Sequence, residues 1–469
     1  MPALYSGASS CNRSVGRQRR DSDRNLGEQT VFALLLTVLL AVFPATAQTN
    51  PESPGQSVVF THVTVIDMTG APAASNMTVV ITGGHISALG KTGVVHVPNG
   101  ARVVDGAGKF LIPGLWDMHV HLEISGKDAS LPMYIANGVT GVRDMGGNIE
   151  MINQWRRQIA DGILVGPRIV AAGSILDGSP PEWPLRIVVK NEADARQAVR
   201  SLKNRGVDFI KVHNLLSREA YFAIADESKK QGLQFAGHVP FSITATEASN
   251  AGQRSIEHLT GLSSTYDDEK ARMLFALFVK NRTWQCPTLV ALRAIAFVND
   301  SSFTDDARIK YLSPAVKESW AFQINTFFKS RTTEATAAAK TSVQGNIREV
   351  GAMRRAGVEL MAGTDVGFPY IFPGSSLHDE LTLLVEAGLT PMQALQTATR
   401  NPAKYLGVLD SLGTLEKGKV ANLVLLEANP LENISNTRRI AAVMLNGKFL
   451  SKEALQKMLS DVEAAAHKN

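Results

Sequence analysis

Cysteine is almost missing from this chain of 469 residues, which carries only Cys11 and Cys286. With one of the two in a segment read below as a removable leader, an internal disulfide is excluded from the mature protein. Cys286 lies in the apolar stretch TWQCPTLVAL and reads as a packing thiol rather than a nucleophile. Aromatic residues make up 6% of the chain, and no basic run is interleaved with them, so a nucleic-acid surface is not expected. Charge of one sign is also scarce. The net charge is +5, and residues 1–47, with five arginines and three acids, account for two of those charges. The apolar run VFALLLTVLLAVF at residues 31–43 falls short of the ~20 residues that a membrane span needs. No internal repeat is visible.

What the run does fit is an export signal. Arginines precede it, and Ala45-Thr46-Ala47 follows with the small-x-small pattern of a cleavage site. Residues 1–47 are therefore expected to be a signal peptide, with a periplasmic or secreted mature protein and no stable membrane span after cleavage. An uncleaved anchor is the alternative. Residues 48–56 (QTNPESPGQ) read as a linker.

Two textures follow. Residues 57–110 alternate apolar and polar, as in VVFTHVTVID and MTVVITGGHISALG, and the same texture returns at 408–455 in KVANLVLLE and AAVMLNGKFL. One small β-sandwich domain built from both ends is predicted, with residues 456–469 as a tail. Between them, residues 111–407 alternate strand and helix, the pattern of an α/β fold. Strands are predicted at 111–122, 138–145, 168–176, 209–214, 234–239, 255–260, 283–292 and 359–366. Eight strands suit a closed (β/α)8 TIM-like barrel. Asn191 and Ser217 are predicted to cap helices that stop at Gly206 and Gly232. Thr390 and Gln393 form a capping box with Pro391 at the first helical position. An insert at about 293–350 reads as helical, as a lid or an oligomer contact; a homo-oligomer stays open.

Ligand-type residues recur at the predicted strand ends. His119 and His121 are two apart on a strand and share a face. Lys211 follows Phe209 and Ile210 in an apolar strand, where an ammonium is costly unless paired or neutralised. A buried ion pair would satisfy it. Reaction with CO₂ to a carbamate would instead turn it into an anion able to bridge two cations. His238 and His258 end the next two strands, and Asp365 ends the eighth. Singly, each has an ordinary packing explanation. Together they place ligand chemistry where barrel enzymes carry their sites.

The motifs PGLWDMHVHLE, IKVHN, AGHVP, IEHLTG and AGTDVG, with the tail LGTLEKGKVANLVLLEANPL, resemble the amidohydrolase superfamily. Within it they resemble the imidazolonepropionase-related and prolidase-like branch. The similarity spans about residues 57–450. It implies two divalent metal ions, usually zinc. His119, His121 and Asp365 would hold the more buried ion, His238 and His258 the second, with carboxylated Lys211 across both. Two departures stand out. Asn422 occupies a tail position often held by Asp, and the loop GSILDGSPPEWP lacks the Gly-Gly-His of many dipeptidase relatives.

These ligands imply hydrolysis of a C–N bond in a small amide or dipeptide substrate, by a hydroxide that bridges the metals, with Asp365 as general base. His213, two residues beyond Lys211, is a candidate substrate contact; a structural hydrogen bond is its alternative. Arg143 could bind a substrate carboxylate or an internal acid. His378 is a third, weaker candidate. A dipeptidase on N-acyl amino acids and an esterase or lactonase on the same site compete with the amidase reading. A barrel scaffold without chemistry is a further alternative.

Overall fold

Eight strands from the two ends of the chain pair into one mixed sheet. In the computed structural model, which describes residues 56–179, 186–262 and 269–467, its order runs Lys448–Ser451, Ile440–Leu445, Leu423–Leu426, Phe110–Pro113, Val58–Val65, Ala74–Thr82 and His85–Lys91. Arg102–Asp105 pairs in parallel with Val58–Val65. The expected signal peptide at 1–47 and nearly all of the expected linker at 48–56 lie outside the described residues. Alternation shapes this sheet. Val58 and Phe60, Val79 and Ile81, and Leu423 and Leu425 point into one apolar cluster. Val424, Leu426 and Ile112 point the other way, into the main core. Both faces of Leu423–Leu426 are therefore buried. The expected sandwich corresponds, among the described residues, to this single sheet.

The middle of the chain alternates parallel strands and helices. One sheet holds Leu115–Val120, Val139–Asp144 and Arg168–Ala171. A second runs Arg186–Val188, Ile175–Asp177, Phe209–Val212, Gln234–Gly237, Ser255–Glu257 and Trp284–Cys286. Every pairing in the two is parallel. Residues 360–366 link them by isolated bridges, Leu360 with Gln285 and Val366 with Val120. Helix starts follow the caps. The Asn191 side chain accepts from Asp194 N, Ser217 from Ala220 N, and Thr390 and Gln393 close their box.

Five expected elements differ. The strand predicted at 168–176 is two, Arg168–Ala171 in the first sheet and Ile175–Asp177 in the second, with Gly173 (φ 67°) turning the chain between them. The strand predicted at 111–122 is two strands, because Gly114 lets the chain leave the terminal sheet. A Cβ at 114 would overlap the Thr140 side chain. The strand predicted at 283–292 stops at Cys286. Pro287 offers no N–H, and Thr288 (φ 46°) turns the chain into the helix Leu289–Phe297. Residues 359–366 are not a regular strand. Thr364 gives its N–H and hydroxyl to Asp117, and Asp365 N bonds to His119 O, so the ladder is replaced by side-chain and crossing bonds. The tail predicted at 456–469 is mostly helix, Lys452–Ala466, whose Leu455, Met458 and Leu459 pack with Ile135 and Val443. The insert is helical as expected and is fastened to its surroundings by Arg308 to Asp379 and Lys310 to Glu463.

Candidate functional site

Four of the six predicted ligands meet at one point. His119 ends in the strand Leu115–Val120, and His121 follows it, held by its N–H to Val366 O. Their Nε2 atoms lie 3.3 and 3.4 Å from Asp365 Oδ1. His258 Nε2 lies 3.9 Å from Asp365 Oδ2, and its ring is 4.4 Å from that of His119. His238 continues the row, 4.9 Å from the His258 ring. His258 and Asp365 both take left-handed backbone (φ 58° and 62°), a conformation that costs a non-glycine residue about 1–2 kcal/mol. Such strain gathers at functional sites. Here it swings both side chains inward at the ends of their segments.

The second nitrogen of every ring is occupied. His119 Nδ1 bonds to Glu257 Oε2 (2.9 Å), His121 Nδ1 to Gly146 O (3.1 Å), His238 Nδ1 to Asn214 Oδ1 (2.8 Å) and His258 Nδ1 to Thr288 Oγ1 (2.6 Å). For His119, His121 and His238 the partner oxygen can only accept, so Nδ1 carries the hydrogen and the lone pair is on Nε2, whereas the Thr288 hydroxyl can donate to or accept from His258. This is how metal-binding imidazoles are held. His119 Nε2 is fully buried and has no hydrogen-bond partner, although Asp365 Oδ1 faces it. Two acceptors that face each other in a buried space call for a cation between them, so the donor set fits a divalent ion. His119, His121 and Asp365 bring one donor each within 4.8 Å of one another, as do His119, Glu257 and Cys286.

Charge supports the same reading. Burial holds His119 and His238 well below the usual imidazole range, with Lys211 and His213 respectively as the next causes. Burial brings His258 to about 4. These three rings are neutral at pH 7, as ligation requires. Burial also pulls His121 down, but the Asp365 carboxylate outweighs it and raises the ring. Burial pushes Asp365 up; His258, His121 and Lys211 outweigh it and leave the carboxyl at about 2.

Lys211 lies in the strand Phe209–Val212, buried, with burial lowering its amine to about 8 against the pull of Glu257 and Asp365. Gly237, on the neighbouring strand, is what lets the two strands close in here. Its φ is 137°, and a Cβ would overlap Val212 O and stand 3.0 Å from Lys211 Cδ. That explains the glycine before His238 in the AGHV motif.

The three candidate substrate contacts fare differently. Arg143 is fully buried and its donors are engaged: Nε to Met118 O (2.6 Å), guanidinium nitrogens to Ser255, to Tyr405 and to both oxygens of Glu257 (3.0 and 2.9 Å). Of the two readings of Arg143 the internal acid is the one observed, and the substrate carboxylate contact is set aside because the cation faces Glu257. His378 bonds Thr437 Oγ1 (2.9 Å), beside the C-terminal segment and apart from the histidine row. His213 does join the row, its ring 4.0 Å from His238. Its Nδ1 is 3.1 Å from Asp177, which also ion-pairs with Arg186. Burial lowers His213 to about 4.

Reasoning from sequence missed the holders. Glu257 stands beside His258, but alternation turns it to the opposite side, beneath His119. Asp117 accepts from Thr364 Oγ1 (2.6 Å) and N (3.0 Å), tying the Asp365 segment to the first strand. Burial raises its carboxyl to about 7. In both cases the signal was an acid inside an apolar strand, costly without partners. Asn214, Thr288, Asp177 and Arg186 gave none. Cys286 is buried as expected, and burial raises its thiol well above the usual range.

Comparison with known proteins agrees. The amidohydrolase family model matches residues 110–450. An ochratoxinase of Aspergillus niger is 27% identical over 390 residues, 69% of this chain and 71% of its own length. An imidazolonepropionase of Pseudomonas putida is 23% identical over 408 residues, 77% and 90% of the two. Among solved structures, a bottromycin amidohydrolase superposes with a TM-score of 0.70 at 24% identity, covering 88% of this chain and 91% of that one. A Xaa-Pro dipeptidase with bound methionine gives 0.66 at 24%, covering 84% and 100%. At that identity these structures speak for the fold alone. On the family match and the donor geometry together, the chain belongs to the amidohydrolase family and is a hydrolase of that family.

Proposed function

We propose that this protein is an exported hydrolase of amide C–N bonds in small molecules, working with two divalent ions of zinc type. The observation that carries the reading is the lone pair of His119 Nε2, aimed at Asp365 without a hydrogen while Glu257 holds the other face of the ring. His119, His121 and Asp365 would hold one ion and His238 and His258 the other, with Lys211 as a carbamate between them. When bound, the ions supply Lewis acidity toward the scissile carbonyl and toward water.

The chain's own groups do the rest. With its amine at about 8, Lys211 has roughly a tenth of its molecules unprotonated at pH 7, the form that reacts with CO₂. Asp365 is ionised at that pH and can take a proton from the attacking water and pass it to the leaving nitrogen. Glu257, Asn214, Thr288 and Gly146 keep the imidazoles aimed. The bonds from residues 360–366 to strands on either side support a closed (β/α)8 barrel, with the site at the strand ends. Residues 1–47 would be the leader; a mature protein beginning at Gln48 by N-terminal sequencing is the expected result.

The test is a metal assay joined to a substrate screen of N-acyl amino acids, dipeptides and matched esters. About two equivalents of metal are expected, with amide turnover lost to a chelator and restored by a divalent ion. Turnover by metal-free protein, or a loaded protein that cleaves no amide, would refute the proposal.

A further inference from the structure

An apolar chamber adjoins the donor cluster, and it is walled from three directions. The helices Leu122–Ser125 and Lys127–Ala136 supply Ile124 and Met133, the loop after Asp365 supplies Val366 and Ile371, and the insert supplies Val316 and Trp320. The space is a small, partly open recess with an apolar lining. The chamber shares structure with the site. Val366 and Gly367 follow Asp365 directly, and both line the chamber. A Cβ on Gly367 would stand 3.2 Å from His121 Cβ and 3.3 Å from Ile124 Cδ1. Ser125 Oγ, also in the lining, donates to His121 O (3.1 Å). The insert wall is fixed in place. Gln323 Nε2 donates to Gly367 O (3.0 Å), and the Trp320 ring packs at 5.4 Å on Tyr370 and 5.5 Å on Phe372.

Among the described residues no carboxylate, amine, guanidinium or imidazole lines this space, so a charged group would lose its water there without compensation. An apolar group gains, by roughly fourfold in binding for each methylene buried. On the hydrolase reading above, we infer that the chamber receives an apolar substituent flanking the scissile amide, a branched aliphatic or phenyl group, and that the insert sets this preference. The occupant is limited to one such group. The scissile amide itself is left to the donor cluster.

The test uses acetamide-type amides that share one scissile bond and differ in one flank, methyl against isobutyl and benzyl, on the acyl side in one series and the amine side in another. Purified full-length mature protein is expected to favour the larger group by at least tenfold in kcat/KM in one series. Val316→Phe, at a half-buried position of the insert, is expected to cut that ratio below threefold, with the thermal midpoint reporting an intact protein. A ratio near one in both series, or a ratio that Val316→Phe leaves intact, overturns the inference. Absence of turnover on every substrate would count against the hydrolase reading instead. The chamber is then read by quenching of Trp320 fluorescence with N-benzylacetamide. The quench should weaken in Val316→Phe and vanish in Trp320→Phe; no quench in the unmodified protein, or one equally strong in both variants, overturns the inference.

Discussion

Replacing Arg143 by Met would separate a substrate contact from a structural one. The side chain is fully buried and gives two hydrogen bonds to Glu257, one to a backbone carbonyl and two to hydroxyls. Methionine keeps the apolar stem and removes the charge. Glu257 would then be a buried carboxylate with Ser255 and His119 as its remaining partners. Breaking a buried pair from one side costs about 3–5 kcal/mol, because the other charge stays uncompensated. For a protein of this size that corresponds to a fall in Tm on the order of 3–6 °C. The double variant Arg143→Met, Glu257→Gln should recover at least half of the loss, since no lone charge remains. Thermal unfolding at one scan rate, on wild type, both singles and the double, completes the cycle. Bound metal should fall in the Glu257→Gln single as well, because His119 loses its carboxylate. An Arg143→Met protein within about 1 kcal/mol of wild type, with only KM raised, would refute the argument and return Arg143 to the substrate.

Three further outcomes follow from the same geometry. Lys211→Ala should bind fewer than two divalent ions per chain by elemental analysis and lose amide turnover; full loading with full activity would exclude a bridging carbamate. Gly237→Ala should lower Tm by several degrees and deplete metal, because its methyl group has to displace Val212 O; an unchanged midpoint would show that the strands can part freely. Glu349, on the helix Thr333–Arg355, is raised by burial from 4.5 to about 7. The folded state therefore keeps a proton that the unfolded chain has released, so stability is full below pH 4.5 and falls as pH rises to 7. The loss levels off above that, at roughly 3 kcal/mol. Glu349→Gln should flatten this dependence between pH 5 and 8 in denaturant midpoints, and a parallel pair of curves would count against it.

Sequence carried the site further than it carried the strands around it. Candidate ligands could be read because each imidazole or acid ends an apolar run, and the cost of burying such a group without a partner is visible in one dimension. The partners themselves were not. Glu257 reaches His119 across 138 positions, and Asp117 reaches Thr364 across 247, separations at which no periodicity relates two residues. Arg143 shows the converse. A cation after an apolar strand looks the same whether it faces a substrate or an internal acid. Helix caps were legible because cap and backbone lie within three residues of each other. TLVAL after Cys286 was misread because a short apolar run fits a buried strand or helix equally well. The closing helix was legible after all. Ser451 caps it, and Leu455, Leu459, Val462 and Ala466 repeat at helical spacing, yet the tail was read as lacking an element.

Leu111 pairs with Leu425, roughly 300 positions later. During synthesis the first strands of the terminal sheet therefore wait, with an open edge, until residues 423–426 have emerged. At about 5–20 residues per second the delay is some 15–60 s, long enough for an unprotected edge to meet the wrong partner. A chain truncated before residue 423 would leave that edge bare for good. Pairing of residues 423–426 is thus the event that closes this edge, and a chain stopped at residue 419 should go to aggregates.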